Sequence, residues 1–545
     1  MKVGDAIAHI MKLEGIEVMT GYPVNHLIEH AAAIDIRPVM VRQERIGLHM
    51  ADAISRVTSG RTLGAFCMQH GPGAENAYGG VAQCFGESIP VLVLPMGYAR
   101  RLAQIPPNYN STIQMRGITK SAESVMSAAE VPNVMRRAFA RLRNGRGGPV
   151  LVEIPTDMFN EEMPEGWSYE PVVVARSGPD PLDVKRAAEM LRQAKRPVIY
   201  AGTGVHWARA WPQLRALAEK LGAPVTTSLG GKSSFPEDHP LALGPGGLAI
   251  PLPVRHFIDR ADVIFGIGCS FTETNFGLKM PPRTATGGPK YIHATLDPDH
   301  LDKDVRCDIG LLGDAGLVLD ALLAELDSLP PRDHTAVAAE ITAQRTPWLA
   351  KWAPKRDSED SPLNPYRVLR DLWATVDVDQ TIITHDAGSP RDQLSPFWVS
   401  RTPLSYLGWG KTTQLGYGLG LAMGAKLAAP DKLCINVWGD AAIGFTGMDF
   451  ETCVRERIPI LSILLNNFSM AIELKIMALS TEKFRTTDIS GDYAAMARAF
   501  GGHGERITTA AEIVPAIRRG IEQTRQGVPA LLEFITSKET EVSRL

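Results

Sequence analysis

The 545-residue chain has little of what ties a protein to a membrane, to nucleic acid or to an oxidising compartment. No apolar run reaches the ~18–20 residues needed to cross a bilayer, so no membrane partner is expected. Its 57 Lys and Arg are offset by 60 Asp and Glu, for a net charge of −3. No basic tract stands out, which argues against nucleic acid. The cysteines (Cys67, Cys84, Cys269, Cys307, Cys434 and Cys453) are scattered without C-x-x-C spacing. They read as buried thiols of a reducing compartment, not as disulfides or a zinc site. Low-complexity segments are absent, and Met1 leads into an amphipathic helix without an apolar leader. A soluble cytoplasmic protein is the expectation. The length allows about three or four domains of ordinary size.

What is present is alternation of strand and helix, clearest over residues 433–474. The apolar, β-branched run Leu433-Cys434-Ile435-Asn436-Val437-Trp438 reads as a buried strand that stops at Gly439-Asp440-Ala441-Ala442. A helix is predicted over 446–455 and a second strand over 459–465, ending at Asn466-Asn467. This is a βαβ unit of a parallel sheet, and ligands bind beyond the carboxyl ends of such strands. Asp440 and Asn467, 27 residues apart, then point into one crevice. A carboxylate with an amide carbonyl is an all-oxygen set suited to Mg²⁺. The small Ala441 and Ala442 let backbone N–H groups approach phosphates at a helix N-terminus. Together these describe a site for a magnesium diphosphate; an ordinary strand pair with a capping Asp is the plainer alternative.

Residues 1–170 alternate in the same way. Strands are predicted over 18–20, 37–42, 62–68, 91–95 and 149–155, with a helix opening at Glu44. Residues 178–330 repeat the pattern, with strands over 196–201, 222–227, 261–268 and 291–297. Polar, proline-bearing residues 331–361 read as a linker, and 362–545 as a third unit. The predicted fold class is α/β, with three doubly wound parallel-sheet domains.

The 433–474 stretch resembles the cofactor signature of thiamine diphosphate enzymes, G-D-G followed downstream by N-N, with Ala441 in the place of the last glycine. The N-terminal part is similar to acetolactate synthase and its relatives. They show G-Y-P, R-H-E-Q-x-A-x-H-M-A-D and S-G-P-G-x-x-N. Here these stand as Gly21-Tyr22-Pro23, as Arg42-Gln43-Glu44 with His49-Met50-Ala51-Asp52, and as Gly71-Pro72-Gly73 with Asn76. The resemblance is to the acetolactate synthase-like and 2-oxo acid decarboxylase group. It makes 1–170 a pyrimidine-binding domain, 178–330 a central nucleotide-binding-like domain and 362–545 a diphosphate-binding domain.

By that resemblance Asp440, the Asn467 side chain and the Ser469 carbonyl hold Mg²⁺. Gly388, Ser389, Gly439, Ala441 and Ala442 surround the diphosphate. Leu415 wedges the cofactor into its bent form, and the Thr413 carbonyl accepts from the pyrimidine amine. Pro23, Gly73 and Asn76 lie on the pyrimidine side, where Glu44 hydrogen-bonds the aminopyrimidine and activates the cofactor. Seen alone, a glutamate at a helix start is a capping residue. Because the family sets Glu44 and Asp440 in different subunits, a homodimer is the minimal unit and a homotetramer is expected.

The substrate positions depart from the synthase pattern. Pro106-Pro107-Asn108 stand where the synthase carries Phe-Gln-Glu. The row Asn467-Phe468-Ser469-Met470-Ala471-Ile472-Glu473 lacks the synthase tryptophan and is closer to N-N-x-G-Y-x-I-E of pyruvate and indolepyruvate decarboxylases. This gives Glu473 a proton-handling role in place of a solvated helix position. His70 replaces a small residue before Gly-Pro-Gly and is the third catalytic candidate, against a buried, backbone-bonded histidine. FAD is not expected, since residues 268–274 lack both arginines of the G-A-R-F-D-D-R segment of FAD-binding synthases. The expected function is decarboxylation of a 2-oxo acid with thiamine diphosphate and Mg²⁺, followed by carboligation to an aldehyde or keto acceptor or by aldehyde release. The alternatives are C–C lyase or acyl-CoA decarboxylase chemistry, and a catalytically silent subunit that binds the cofactor.

Overall fold

The computed structural model describes residues 1–282 and 287–545. Three six-stranded, all-parallel sheets follow one another along the chain. The first holds β1 (Val18–Gly21), β2 (Arg37–Met40), β3 (Gly64–Met68), β4 (Val91–Gly97), β5 (Ser121–Ser124) and β6 (Val150–Pro155) in the order β2-β1-β3-β4-β6-β5. The second holds β7 (Pro197–Ala201), β8 (Val225–Thr227), β9 (Ala242–Pro245), β10 (Val263–Ile267), β11 (Lys290–Thr295) and β12 (Ile309–Leu312), ordered β12-β11-β10-β7-β8-β9. The third holds β13 (Thr381–His385), β14 (Tyr406–Leu407), β15 (Leu433–Gly439), β16 (Leu461–Asn466), β17 (His503–Ile507) and β18 (Ala530–Ile535), ordered β14-β13-β15-β16-β18-β17. The α/β class with three doubly wound sheets is therefore as predicted.

The first and third sheets have one topology: counted within each unit, both run 2-1-3-4-6-5. The middle sheet runs 3-2-1-4-5-6 from one edge, the order of dinucleotide-binding sheets. In such sheets the strand order reverses at a switch point, where a crevice opens at the carboxyl ends. The first and third sheets place that crevice after β1 and β3, and after β13 and β15. The residues predicted from sequence follow β1, β2 and β3 in the first domain and β13, β14, β15 and β16 in the third.

Central strands are buried on both faces, so their sequences are continuous apolar runs; Cys434 to Trp438 and Leu461 to Asn466 are buried throughout. Edge strands β5, β9, β12, β14 and β17 were not predicted. The segment expected as a linker over 331–361 carries a 22-residue helix, Thr335–Arg356. Its apolar side is thin but regular: Ile341, Trp348 and Trp352 are buried, and Trp348 stacks on Phe397 at 4.7 Å. Among the described residues no helix is long and apolar enough to cross a membrane.

The outer domains meet directly. Helix Glu44–Val57 lies against helix Tyr417–Ala428, and two glycines set the closeness. A Cβ on Gly420 would collide with His49, and one on Gly424 with the Met50 carbonyl. The contact is also polar: Tyr417 Oη donates to Asp52 Oδ2 at 2.7 Å, and Arg56 Nη1 donates to the Gly408 carbonyl at 3.0 Å.

A buried ion pair ties the central domain to the third sheet. Lys232 is fully buried; its Nζ donates to Glu237 Oε1 at 2.6 Å and to the Trp398 carbonyl at 2.7 Å. Glu237 Oε2 in turn accepts from the Ser400 amide at 2.7 Å. Removing one partner of such a pair strands a charge in the interior, at a cost of ~3–5 kcal/mol. Lys232→Met is expected to lower the unfolding free energy by that order, seen as a lower denaturation midpoint, and Lys232→Met/Glu237→Leu to recover most of it. A Lys232→Met protein as stable as the wild type would contradict the clamp.

Candidate active site

The carboxyl ends of β13, β15, β16 and β18 enclose a cavity of about 230 Å³. Gly388 and Ser389 enter it after β13, Gly439 to Ala442 after β15, and Asn467 and Ser469 after β16. Thr413, Leu415 and Glu473 complete the predicted residues on its walls. The C-terminal members of the sequence-predicted site thus share one cavity.

Asp440 is the first residue of helix Asp440–Thr446, which the sequence pattern did not separate from the helix predicted over 446–455; the latter is formed by a short turn and helix Phe450–Arg455. It is 3% exposed. Its Oδ1 accepts from the Ala441 amide at 2.9 Å and its Oδ2 from the Ser469 amide at 3.0 Å. Burial pushes the carboxyl upward, and the backbone N–H groups of Ser469, Ala441, Asn467 and Phe468 pull it back. Ala441, expected to donate to a diphosphate, donates here to Asp440.

The two asparagines after β16 divide the work. Asn466 is structural: its Nδ2 donates to Glu533 Oε1 at 2.8 Å and its Oδ1 accepts from the Phe468 amide at 3.0 Å. Asn467 faces the cavity, and its buried Oδ1 has no hydrogen-bond partner among the described residues. Between them and Ser469, Phe468 adopts φ +57°, an unfavourable conformation for an aromatic residue that loops hold only when their surroundings enforce it. Two backbone bonds enforce it, from Ile489 N to the Phe468 carbonyl (3.0 Å) and from Met470 N to the Thr487 carbonyl (2.8 Å). The Ser469 carbonyl accepts from the Ala471 amide at 2.8 Å.

The loop carrying Thr413 and Leu415 is fixed from below by Asp386, a residue the sequence reading did not single out. Asp386 is fully buried; it accepts from Gly416 N and Gly418 N, both at 2.9 Å, and from Ala387 N at 2.8 Å. Burial holds it up to about 6 against these three donors. Gly416 has φ +83°, a turn conformation that a side chain at this position would strain.

The N-terminal candidates form a second cluster, around the matching switch point after β1 and β3. Glu44 is buried at the start of its helix, and its Oε2 accepts from Asn76 Nδ2 at 3.2 Å. A Cβ on Gly73 would stand 3.2 Å from Glu44 Oε1, so glycine keeps that face of the carboxylate open. His70 packs edge-on against Tyr98 at 4.3 Å; its buried Nδ1 has no partner among the described residues, and burial lowers its basicity. Pro23 is exposed beside this cluster. None of Pro23, Glu44, His70, Gly73 or Asn76 lines the cavity at Asp440.

Three family descriptions match the chain in order: "Thiamine pyrophosphate enzyme, N-terminal TPP binding domain" over residues 1–120, "central domain" over 184–322 and "C-terminal TPP binding domain" over 386–534. A probable acetolactate synthase large subunit of Methanocaldococcus jannaschii is 30% identical over 98% of this chain and 92% of its own length. The chain belongs to the thiamine pyrophosphate enzyme family. Acetolactate synthase isozyme 3 large subunit of Escherichia coli K12 is 29% identical over 94% of this chain and 91% of its own. A probable acetolactate synthase large subunit of Methanococcus aeolicus is 28% identical over the whole chain and 93% of its own. This protein is an acetolactate synthase-like, thiamine pyrophosphate-dependent enzyme.

As in other sheets of its topology, the enzyme's central domain opens at its switch point. A cavity of about 160 Å³ lies beyond β7 and β10, lined by Gly204, Gly268, Asp297, Arg146 and Lys411. Lys411 and Gly410 precede the Thr413–Leu415 loop, and the Glu87 carboxylate accepts from both of their amides.

Proposed function

We propose that this thiamine pyrophosphate enzyme decarboxylates a 2-oxo acid in the presence of Mg²⁺, and then releases an aldehyde or joins the two-carbon or larger fragment to a second carbonyl. The observation that carries the metal reading is the Asn467 Oδ1, buried and without a partner among the described residues, facing the same cavity as the Asp440 carboxylate. Orphaned buried acceptors are rare and costly. A hard divalent cation takes such oxygens, together with those of a diphosphate. Among the described residues no three His, Cys, Asp or Glu side chains converge on a metal position, so neutral oxygens supply the rest of the set.

When bound, thiamine diphosphate supplies a carbon nucleophile and an electron sink for loss of CO₂. The chain's residues position and exchange protons. Asp440, Asn467 and the Ser469 carbonyl hold the metal; Gly388, Ser389 and the helix start after Gly439 lie where the diphosphate is received. Leu415, set by Asp386 through Gly416, shapes the bend. Glu44 accepts and returns the activating proton at the pyrimidine, and Glu473, half-buried on the cavity wall, exchanges protons with substrate or product.

Glu44 does not reach the Asp440 cavity in its own chain, which supports a homodimer with Glu44 delivered from the partner copy. Exposed apolar side chains flank both half-sites: Val24 and Tyr78 on one, Phe445, Ile472 and Ile476 on the other. Subunit mixing tests this. Glu44→Gln and Asp440→Ala proteins are each expected to be inactive, while a one-to-one reassociated mixture regains roughly a quarter of wild-type turnover, because mixed dimers hold one intact site. No recovery from a mixture shown to contain mixed dimers would overturn the shared site.

A further inference from the structure

Arg391 is a charge the reading above leaves unused. It lies three residues past Gly388, is 1% exposed, and lines the Asp440 cavity. Two of its nitrogens are engaged: Nε donates to Asp392 Oδ1 at 2.8 Å and Nη2 to Asp392 Oδ2 at 2.9 Å. The third, Nη1, is buried with no hydrogen-bond partner among the described residues. A guanidinium has five N–H donors in a rigid fork, and a buried charged donor left unmade is among the costlier defects a fold can carry.

The surroundings fix where Nη1 can be used. The Arg391 guanidinium carbon stands 4.5 Å from the centre of the Phe276 ring, which comes from the central domain and forms part of the same wall. That stacking, with the two bonds to Asp392, sets the plane of the fork. The other ionisable side chains on the cavity wall are acids: Asp440, Glu473 and Glu539, the last paired with Lys355 at 2.8 Å. Among the described residues lining the cavity, Arg391 is the one base. Its bond to Asp392 neutralises the pair without using Nη1, so the pair alone does not explain the third nitrogen.

We propose that Arg391 Nη1 anchors an anionic oxygen in this cavity, either a phosphate oxygen of the cofactor or an acid oxygen of the donor substrate. A planar fork suits both oxyanions. If the oxygen belongs to the substrate, Arg391 selects donors with an acid group placed to reach the Phe276 wall. The inference rests on the cofactor reading above.

Removing Arg391 alone would leave Asp392 buried and unpaired, so the test uses Arg391→Gln/Asp392→Asn, with Arg391→Lys as a second variant that keeps the charge but loses the fork. Two calorimetric titrations are made on each folded protein. In one, thiamine diphosphate with Mg²⁺ is added to the apoprotein; in the other, malonate is added to the cofactor-loaded enzyme. A cofactor affinity weakened about tenfold or more in the variants assigns Nη1 to the diphosphate. Unchanged cofactor affinity, with malonate bound by the wild type and weakened about tenfold or more in the variants, assigns it to the substrate. The proposal is overturned if cofactor affinity is unchanged and malonate either binds all proteins alike or does not bind the wild type. If the wild type itself fails to bind thiamine diphosphate, the cofactor reading falls instead, and the two failures are distinguishable.

Discussion

Glu44→Gln is expected to slow turnover by about 10²–10⁴-fold while cofactor affinity stays within a few-fold of wild type. The substitution preserves shape: a glutamine Oε1 can still accept from Asn76 Nδ2, and the opening that Gly73 leaves over the other oxygen is retained. What it removes is a group that can accept and return a proton. The loss therefore falls on the chemical step and spares cofactor binding, a split that a merely structural glutamate would not produce. Turnover at the wild-type level would mean that another residue activates the cofactor. His70, the nearest candidate in sequence to Gly73, is poorly suited to stand in, because it is held against Tyr98 with its basicity lowered.

Asp440→Ala is expected to weaken Mg²⁺-dependent binding of thiamine diphosphate by about 100-fold or more, equivalent to about 3 kcal/mol. Two losses combine. The carboxylate that faces the metal position is gone, and the amides of Ala441 and Ser469 lose their acceptor, which loosens the loop that presents Asn467. Asp440→Asn separates the two. It keeps one acceptor and much of the loop but loses the charge, and is expected to fall between alanine and wild type. The check is calorimetry with and without Mg²⁺. Unchanged affinity in Asp440→Ala would remove Asp440 from the metal site.

The Asp440 cavity was legible in the sequence because its strands are central and buried on both faces, and so appear as continuous apolar runs with small residues and an acid at their ends. The missed strands lie nearer the sheet edges, where that signal is weak. β5 reads Ser-Ala-Glu-Ser and is half-buried throughout, and β17 carries His503, Glu505 and Arg506. Helix Thr335–Arg356 was hidden by Pro347 and Pro354, each ordinarily a reason to end a helix, although Ile341, Trp348 and Trp352 keep a helical spacing. The extra helix Asp440–Thr446, ahead of the one predicted over 446–455, went unread for a related cause. Asp440-Ala441-Ala442 read as a turn, whereas the Asp440 carboxylate bonds the next amide and begins a helix at once.

Sequence alone also could not show which residues act as supports. Asp386 looked like one small polar residue among several, and only its three backbone donors identify it as the clamp beneath Leu415. Arg391 sits beside an acid in sequence, which suggests simple neutralisation; its free nitrogen is a property of the folded wall. The separation of Glu44 from the Asp440 cavity came from the family resemblance, and the fold gives it a physical form. Two sheets of one topology each offer a switch-point crevice, and the predicted residues are divided between them.

The most direct test of the account is CO₂ release by the purified enzyme with thiamine diphosphate and Mg²⁺, measured on pyruvate and on bulkier and diacidic 2-oxo acids, with and without an aldehyde acceptor. CO₂ is expected in step with consumption of at least one 2-oxo acid, with an aldehyde or hydroxyketone as the second product, and is expected to be lost when either cofactor or Mg²⁺ is withheld. Tight cofactor binding with no CO₂ from any member of the panel would contradict it.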